Sequence, residues 1–135
     1  MRHVKDTVKR PDIPDYRKKQ ALLYIQKSVA DLTVYGNGFL AAGRMADALE
    51  FFEAAADREG LEKIRTWAES EGDAMIYLNC AKALREEPTP DGWVRICRTA
   101  LAKGKLRFAR EAAVRSGDPA LLEDVEHNLR EQAGG

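Results

Sequence analysis

Residues 43–55 read GRMADALEFFEAA, and residues 104–116 read GKLRFAREAAVRS. Each stretch sets a glycine before an apolar helical pattern and a small residue, Ala48 or Ala109, five positions on. An apolar helix runs into each glycine, through Leu32, Gly36 and Phe39 in one case and Trp93, Cys97 and Ala100 in the other. These are two helix–turn–helix units, and a unit of this kind cannot bury its apolar face alone, so such units stack. The expected fold is all-α, with antiparallel helical hairpins stacked as a short right-handed α-solenoid of about seven helices.

Outward from the two glycines, other breaks divide the chain. Pro11 and Pro14 punctuate the start of a first helix, where proline is tolerated. Ala21, Leu22, Ile25, Val29, Leu32 and Phe39 then recur at helical spacing, predicting one long helix, or two nearly collinear ones, over 14–42. Gly36 and Gly38 weaken that helix by about 1 kcal/mol each relative to alanine. Close approach of the following helix would be a reason to keep Gly36. Gly43 stops the helix through its access to left-handed backbone. The next helix is expected over 45–58, with Met45, Ala48, Leu49, Phe52 and Ala55 on one stripe and Gly60 as its end. A short helix over 61–69, a turn at Glu71-Gly72-Asp73 and a helix over 74–85 follow.

The sequence EEPTPDG, residues 86–92, is the strongest break. Thr89 followed by Pro90 pairs a capping hydroxyl with a proline whose missing N–H costs nothing in a first turn. A helix to residue 102, the Gly104 turn and a helix over 105–115 complete the second unit. Ser116-Gly117-Asp118-Pro119 repeats the pattern of stop, cap and proline. The last helix, to about residue 130, has Leu121, Leu122, Val125 and Leu129 on one side. No segment alternates apolar and polar residues for long, so strands have little support.

The 135 residues suit one domain over 14–131, with a flexible basic arm over 1–13 and a frayed tail over 132–135. Apolar residues make up 44%, enough for a core, and 22 basic residues balance 22 acidic ones. That balance argues against nucleic acid as the main partner, which needs a basic footprint. The first twenty residues are the exception, where Arg2, Lys5, Lys9, Arg10, Arg17, Lys18 and Lys19 outweigh Asp6, Asp12 and Asp15. Cys80 and Cys97 fall inside apolar helical patterns and read as small buried residues, not a disulfide framework. The chain shows no signal-peptide stretch and no window of membrane-span length, so a cytoplasmic protein without membrane contact is expected.

Catalytic chemistry finds no motif. His3 and His127 have no cysteine or carboxylate partner at metal-ligand spacing, so no metal is expected. Glu50/Glu53 and Glu69/Glu71 fall on polar faces, and solvated charge is the default there. There is no glycine-rich phosphate loop and no serine-centred nucleophile motif. The reading is of a chain without enzyme activity or cofactor.

The two hairpins resemble tetratricopeptide repeats. Set on Gly43, the first has Gly36, Phe39, Ala48, Phe52 and Ala55 at that family's small and large positions, with Leu32 and Tyr35 as departures. Set on Gly104, the second keeps Trp93, Ile96, Cys97, Ala100 and Ala109, while Ala113 and Ser116 depart. The spacing from Gly43 to Gly104 is not a multiple of the family's period of about 34 residues. Another α-solenoid, of the kind in clathrin- and coatomer-like proteins, stands beside that resemblance.

The resemblance implies a groove lined by the first helix of each hairpin, at Thr33, Asn37 and Leu40, then Arg95 and Arg98. An amide and a guanidinium at Asn37 and Arg95 suit a peptide carboxylate. The implied function is a non-catalytic protein–protein interaction module, an adaptor or scaffold that binds a protein or peptide partner. A homo-oligomer assembled through the 14–42 helix is the alternative, with Glu123, Asp124, Glu126, Arg130 and Glu131 making the last helix a polar cap. A nucleic-acid binder through the basic arm, or an enzyme, forms a third class.

Overall fold

A computed structural model describes residues 28–134. Among them the chain is helical without strands, with α1 at Val29–Ala41, α2 at Met45–Ala54, α3 at Arg58–Glu71, α4 at Ala74–Leu84, α5 at Pro90–Ala102, α6 at Leu106–Ser116 and α7 at Pro119–Gly134. Each of the six turns between them contains one residue with positive φ. Four of these are glycine, at 43, 72, 104 and 117, and two are Ala56 and Arg85. A side chain in that left-handed region costs about 1–2 kcal/mol, so the last two positions hold strain that glycine would relieve.

The helix starts follow from capping chemistry. Oxygens of Ser28, Asp57, Asp73, Thr89 and Asp118 accept from Asp31 N, Gly60 N, Ile76 N, Gly92 N and Ala120 N at 2.9–3.1 Å. Each satisfies a first-turn N–H that no helical carbonyl can reach. Helices α2 and α6 lack such a cap. They are entered directly from the Gly43 and Gly104 turns.

The two turns share one geometry. Ala42, Gly43 and Arg44 have φ of −83°, +78° and −98°; Lys103, Gly104 and Lys105 have −95°, +73° and −90°. Arg44 N donates to Phe39 O at 2.9 Å, and Lys105 N to Ala100 O at 2.8 Å. The correspondence reaches past the turns. Helices α1, α2 and α3 start at Val29, Met45 and Arg58, and α5, α6 and α7 start at Pro90, Leu106 and Pro119. The offset is the same for all three pairs, and it is the offset between Gly43 and Gly104. The caps follow it too, with Thr89 answering to Ser28 and Asp118 to Asp57. The three hairpins begin at Val29, Arg58 and Pro90 and the final helix at Pro119, closer together than the tetratricopeptide period of about 34 residues.

Several sequence expectations change. Ser28 is extended, at φ −69° and ψ 156°, so no continuous helix runs through it. The stretch of helix expected before it, and the basic arm over 1–13, lie outside the described residues. Val29, placed on the inward stripe, is 62% exposed because the stripe begins one turn later, at Leu32. Gly60 does not end a helix: it is the third residue of α3, while the turn is made by Ala56 and the cap by Asp57. The helix expected over 45–58 therefore stops at Ala54, and the one expected from residue 61 starts at Arg58. The last helix runs past residue 130 to Gly134, into the stretch expected as a tail.

The described residues fall into two compact units, divided between Glu62 and Lys63. In the first, α1 packs on α2 around Phe39, Phe51 and Phe52, all without exposure. The Phe39 and Phe51 rings stack at 5.3 Å, and Tyr35 joins Phe51 at 5.8 Å. Phe52 explains two glycines. A Cβ on Gly36 would stand 2.6 Å from its ring, and a Cβ on Gly60 also 2.6 Å. With the ring fully buried between them, neither position can carry a side chain without displacing it.

In the second unit, α5 packs on α6, α6 on α7, and α4 on α6. The core is built from small residues, among them Ala68, Ala74, Cys97, Ala100, Ala109, Ala112 and Ala113, with Ile96, Leu121 and Val125 as larger members. Tyr77 and Trp93 meet edge to face at 5.0 Å. Both cysteines are buried and unbridged, as the apolar pattern predicts.

Candidate interaction surface

The residues expected to line a groove fall in both units. Thr33 and Leu40 are half-buried and Asn37 is exposed, on α1 of the first. Arg95 and Arg98 are exposed on α5 of the second. The register between the two hairpins pairs Asn37 with Arg98, and Val34 with Arg95. The two residues singled out for a carboxylate are thus not equivalent in the repeat. Arg95 sits 3.8 Å from Glu69.

Two clefts of the second unit border the α4–α5 connection. The larger, about 630 Å³, is lined by Leu78, Ala81, Lys82, Arg85, Trp93 and Arg115 together with the connecting residues 86–88. The smaller, about 310 Å³, has Arg65, Thr66, Glu69, Tyr77 and Arg95 beside the same connection. The strong break at EEPTPDG thus produces the relief of this surface. Pro88 and Pro90 keep the segment from continuing α4, and Thr89 fixes the start of α5.

Ion pairs neutralise much of the surrounding charge. Arg65 holds Glu86 at 2.6 Å, and Lys105 reaches both the side chain and the backbone carbonyl of Glu71. Arg115 pairs with Glu111 at 2.6 Å while its guanidinium lies 5.5 Å from the centre of the Trp93 ring. Such pairs on exposed side chains contribute little to stability individually. Lys82 and Arg85 have no ion-pair partner among the described residues.

Burial shifts the titration of two thiols and one phenol in this unit. Burial pushes the Cys80 thiol up to about 12, and burial also raises Cys97. Neither forms a thiolate at neutral pH, the form nucleophilic chemistry requires. The Tyr77 phenol is raised by burial and by the charge of Glu69, against the pull of Arg95 and Arg65. Its hydroxyl lies against Gly92, where any side chain would collide with it. His127 is exposed, 3.8 Å from Glu131. Among the described residues no group of three metal-ligating side chains comes together, and no helix is long and apolar enough to cross a membrane.

Sequence reasoning passes over Lys82, Arg85 and Arg115, while Trp93, on an apolar stripe, is buried in the core as that stripe implies. Arg85 leaves no signal in the sequence, since the helix expected over 74–85 includes it; the structure makes it a turn residue. It occupies the turn position that four of the other connections give to glycine.

No protein-family model matches the chain, and no curated protein or solved structure matches it either.

Proposed function

We propose that this protein is a non-catalytic interaction module, an adaptor built from tetratricopeptide-like helical hairpins that holds a peptide or helix of a partner protein. The observation that carries this reading is the pair of hairpins built to one plan, on Gly43 and on Gly104, in a chain whose surface offers open clefts. Repeated hairpins present side chains at regular intervals, and helical grooves suit extended or helical peptides. The two buried, unbridged thiols support a cytoplasmic setting, where disulfides are rare.

The test is affinity purification from the native host with mass spectrometry, followed by titration of the purified partner. Wild type is compared with Asn37→Ala/Arg95→Ala. A saturable partner supports the reading. Its loss in the double variant locates binding at those residues, and its retention moves the site to another surface. Failure of the folded wild-type chain to hold any protein overturns the reading.

A further inference from the structure

The larger cleft of the second unit joins an apolar floor to a cationic edge. Half-buried Leu78 supplies most of the floor, with the edges of the buried Ala81 and Trp93 beneath it, and Lys82, Arg85 and Arg115 form the edge. Arg85 is the informative member. It ends α4 at φ 58° and ψ 42°, a conformation that four other connections assign to glycine. Ala56 shows that an exposed turn of this fold tolerates such strain, so it is the place of Arg85 in the cleft lining that carries the argument. Here the strained position sets a guanidinium at the cleft wall.

The charge at this wall is not balanced. Lys82 and Arg85 lack an ion-pair partner among the described residues, whereas Glu86 is already engaged by Arg65 at 2.6 Å. Glu87 is the remaining carboxylate in the lining. We infer, building on the interaction-module reading, that this cleft takes an acidic peptide segment carrying an apolar anchor. Its carboxylates meet Lys82 and Arg85, and its apolar side chain enters against Leu78. Charge-assisted hydrogen bonds to a guanidinium set the orientation of the segment, and the buried apolar side chain supplies the affinity. A polyanion such as nucleic acid fits less well, because it has no aliphatic side chain to set against Leu78.

The probe is a fluorescein-labelled fifteen-residue peptide of glutamate and alanine with leucine at every fourth position. It is titrated into the full chain at physiological salt and read by fluorescence anisotropy. Two controls replace every glutamate by lysine or every leucine by serine. The expected result is saturable binding of the acidic leucine peptide and at least tenfold weaker binding of both controls. Arg85→Gly separates binding from folding, since glycine relaxes the turn. It should raise the melting temperature and weaken binding about fivefold. Lys82→Ala should add to that loss. Equal binding of either control, unchanged affinity in Arg85→Gly, or no binding of the acidic peptide overturns the inference. If a host partner is still held by the wild-type chain in that case, the interaction-module reading survives alone.

Discussion

In the first hairpin the Phe52 ring lies over two bare backbones, Gly36 and Gly60. At the equivalent positions of the second hairpin stand Cys97, Ala113 and Leu121, all within one buried cluster. The large residue has moved from the centre of the triad to its edge. Tyr35, Phe39 and Phe51 give way to the smaller Ile96, Ala100 and Ala112, whereas Leu32 gives way to the larger Trp93. Turns and caps meanwhile correspond position for position. Even the turn cations diverge around a common backbone: Arg44 lies 4.7 Å over the Phe39 ring, whereas Lys105, facing Ala100 in place of a ring, reaches Glu71. Helix ends fix the plan of a hairpin, and its core volume can then be distributed in more than one way.

The hardest test of that statement is Phe52→Ala, which empties the space between the two glycines. A loss of about 3–5 kcal/mol by denaturant unfolding is expected. Gly36→Cys/Phe52→Ala/Gly60→Leu transplants the second triad and should recover part of it. If the triple variant is less stable than Phe52→Ala alone, the triads are not interchangeable solutions.

Alkaline pH should distinguish the units next. Cys80 has its folded thiol pushed up to about 12 by burial, from an ordinary value near 9. Because the folded value is the higher, stability is intact below pH 9 and declines as the unfolded thiol ionises first. A loss of about 2–3 kcal/mol between pH 9 and 11 follows in the second unit. The described part of the first unit contains no cysteine. Hydrogen exchange across this range should show the second unit opening first, and Cys80→Ala should flatten its profile.

Smaller effects sharpen the correspondence of the helix starts. Ser28→Ala and Thr89→Ala should each cost about 1 kcal/mol. A clear inequality between them would mean that the two caps do different work. The smallest expected change is a gain. Ala56 adopts φ 54°, where its counterpart Gly117 adopts 76°. Ala56→Gly should therefore stabilise by up to about 1 kcal/mol, and Gly117→Ala should destabilise by a similar amount.

The all-helical class and most turns are legible in the sequence, because glycine, proline and capping residues act locally. Thr89-Pro90 and Gly117-Asp118-Pro119 can be read for that reason. Gly60 misleads because the same residue that ends helices also admits a neighbouring ring, and only the packing of Phe52 distinguishes the two roles. Ala56 gives no local sign of a turn. The clefts are invisible as well, since Lys82 and Arg115 acquire meaning only when α4, α5 and α6 bring them to one wall. Arg85 is no more readable: the helix expected over 74–85 includes it, and only its φ of 58° shows that it makes the turn.

The Gly36–Phe52–Gly60 wedge also bears on how such a hairpin can drift. From the first arrangement toward the second, two of the three opening substitutions drive a new side chain into the Phe52 ring, and the third leaves a void. No neutral first step connects the two packings. A lineage holding one of them is confined to it until a compensating change arrives at the same time, so these three positions should change together or not at all.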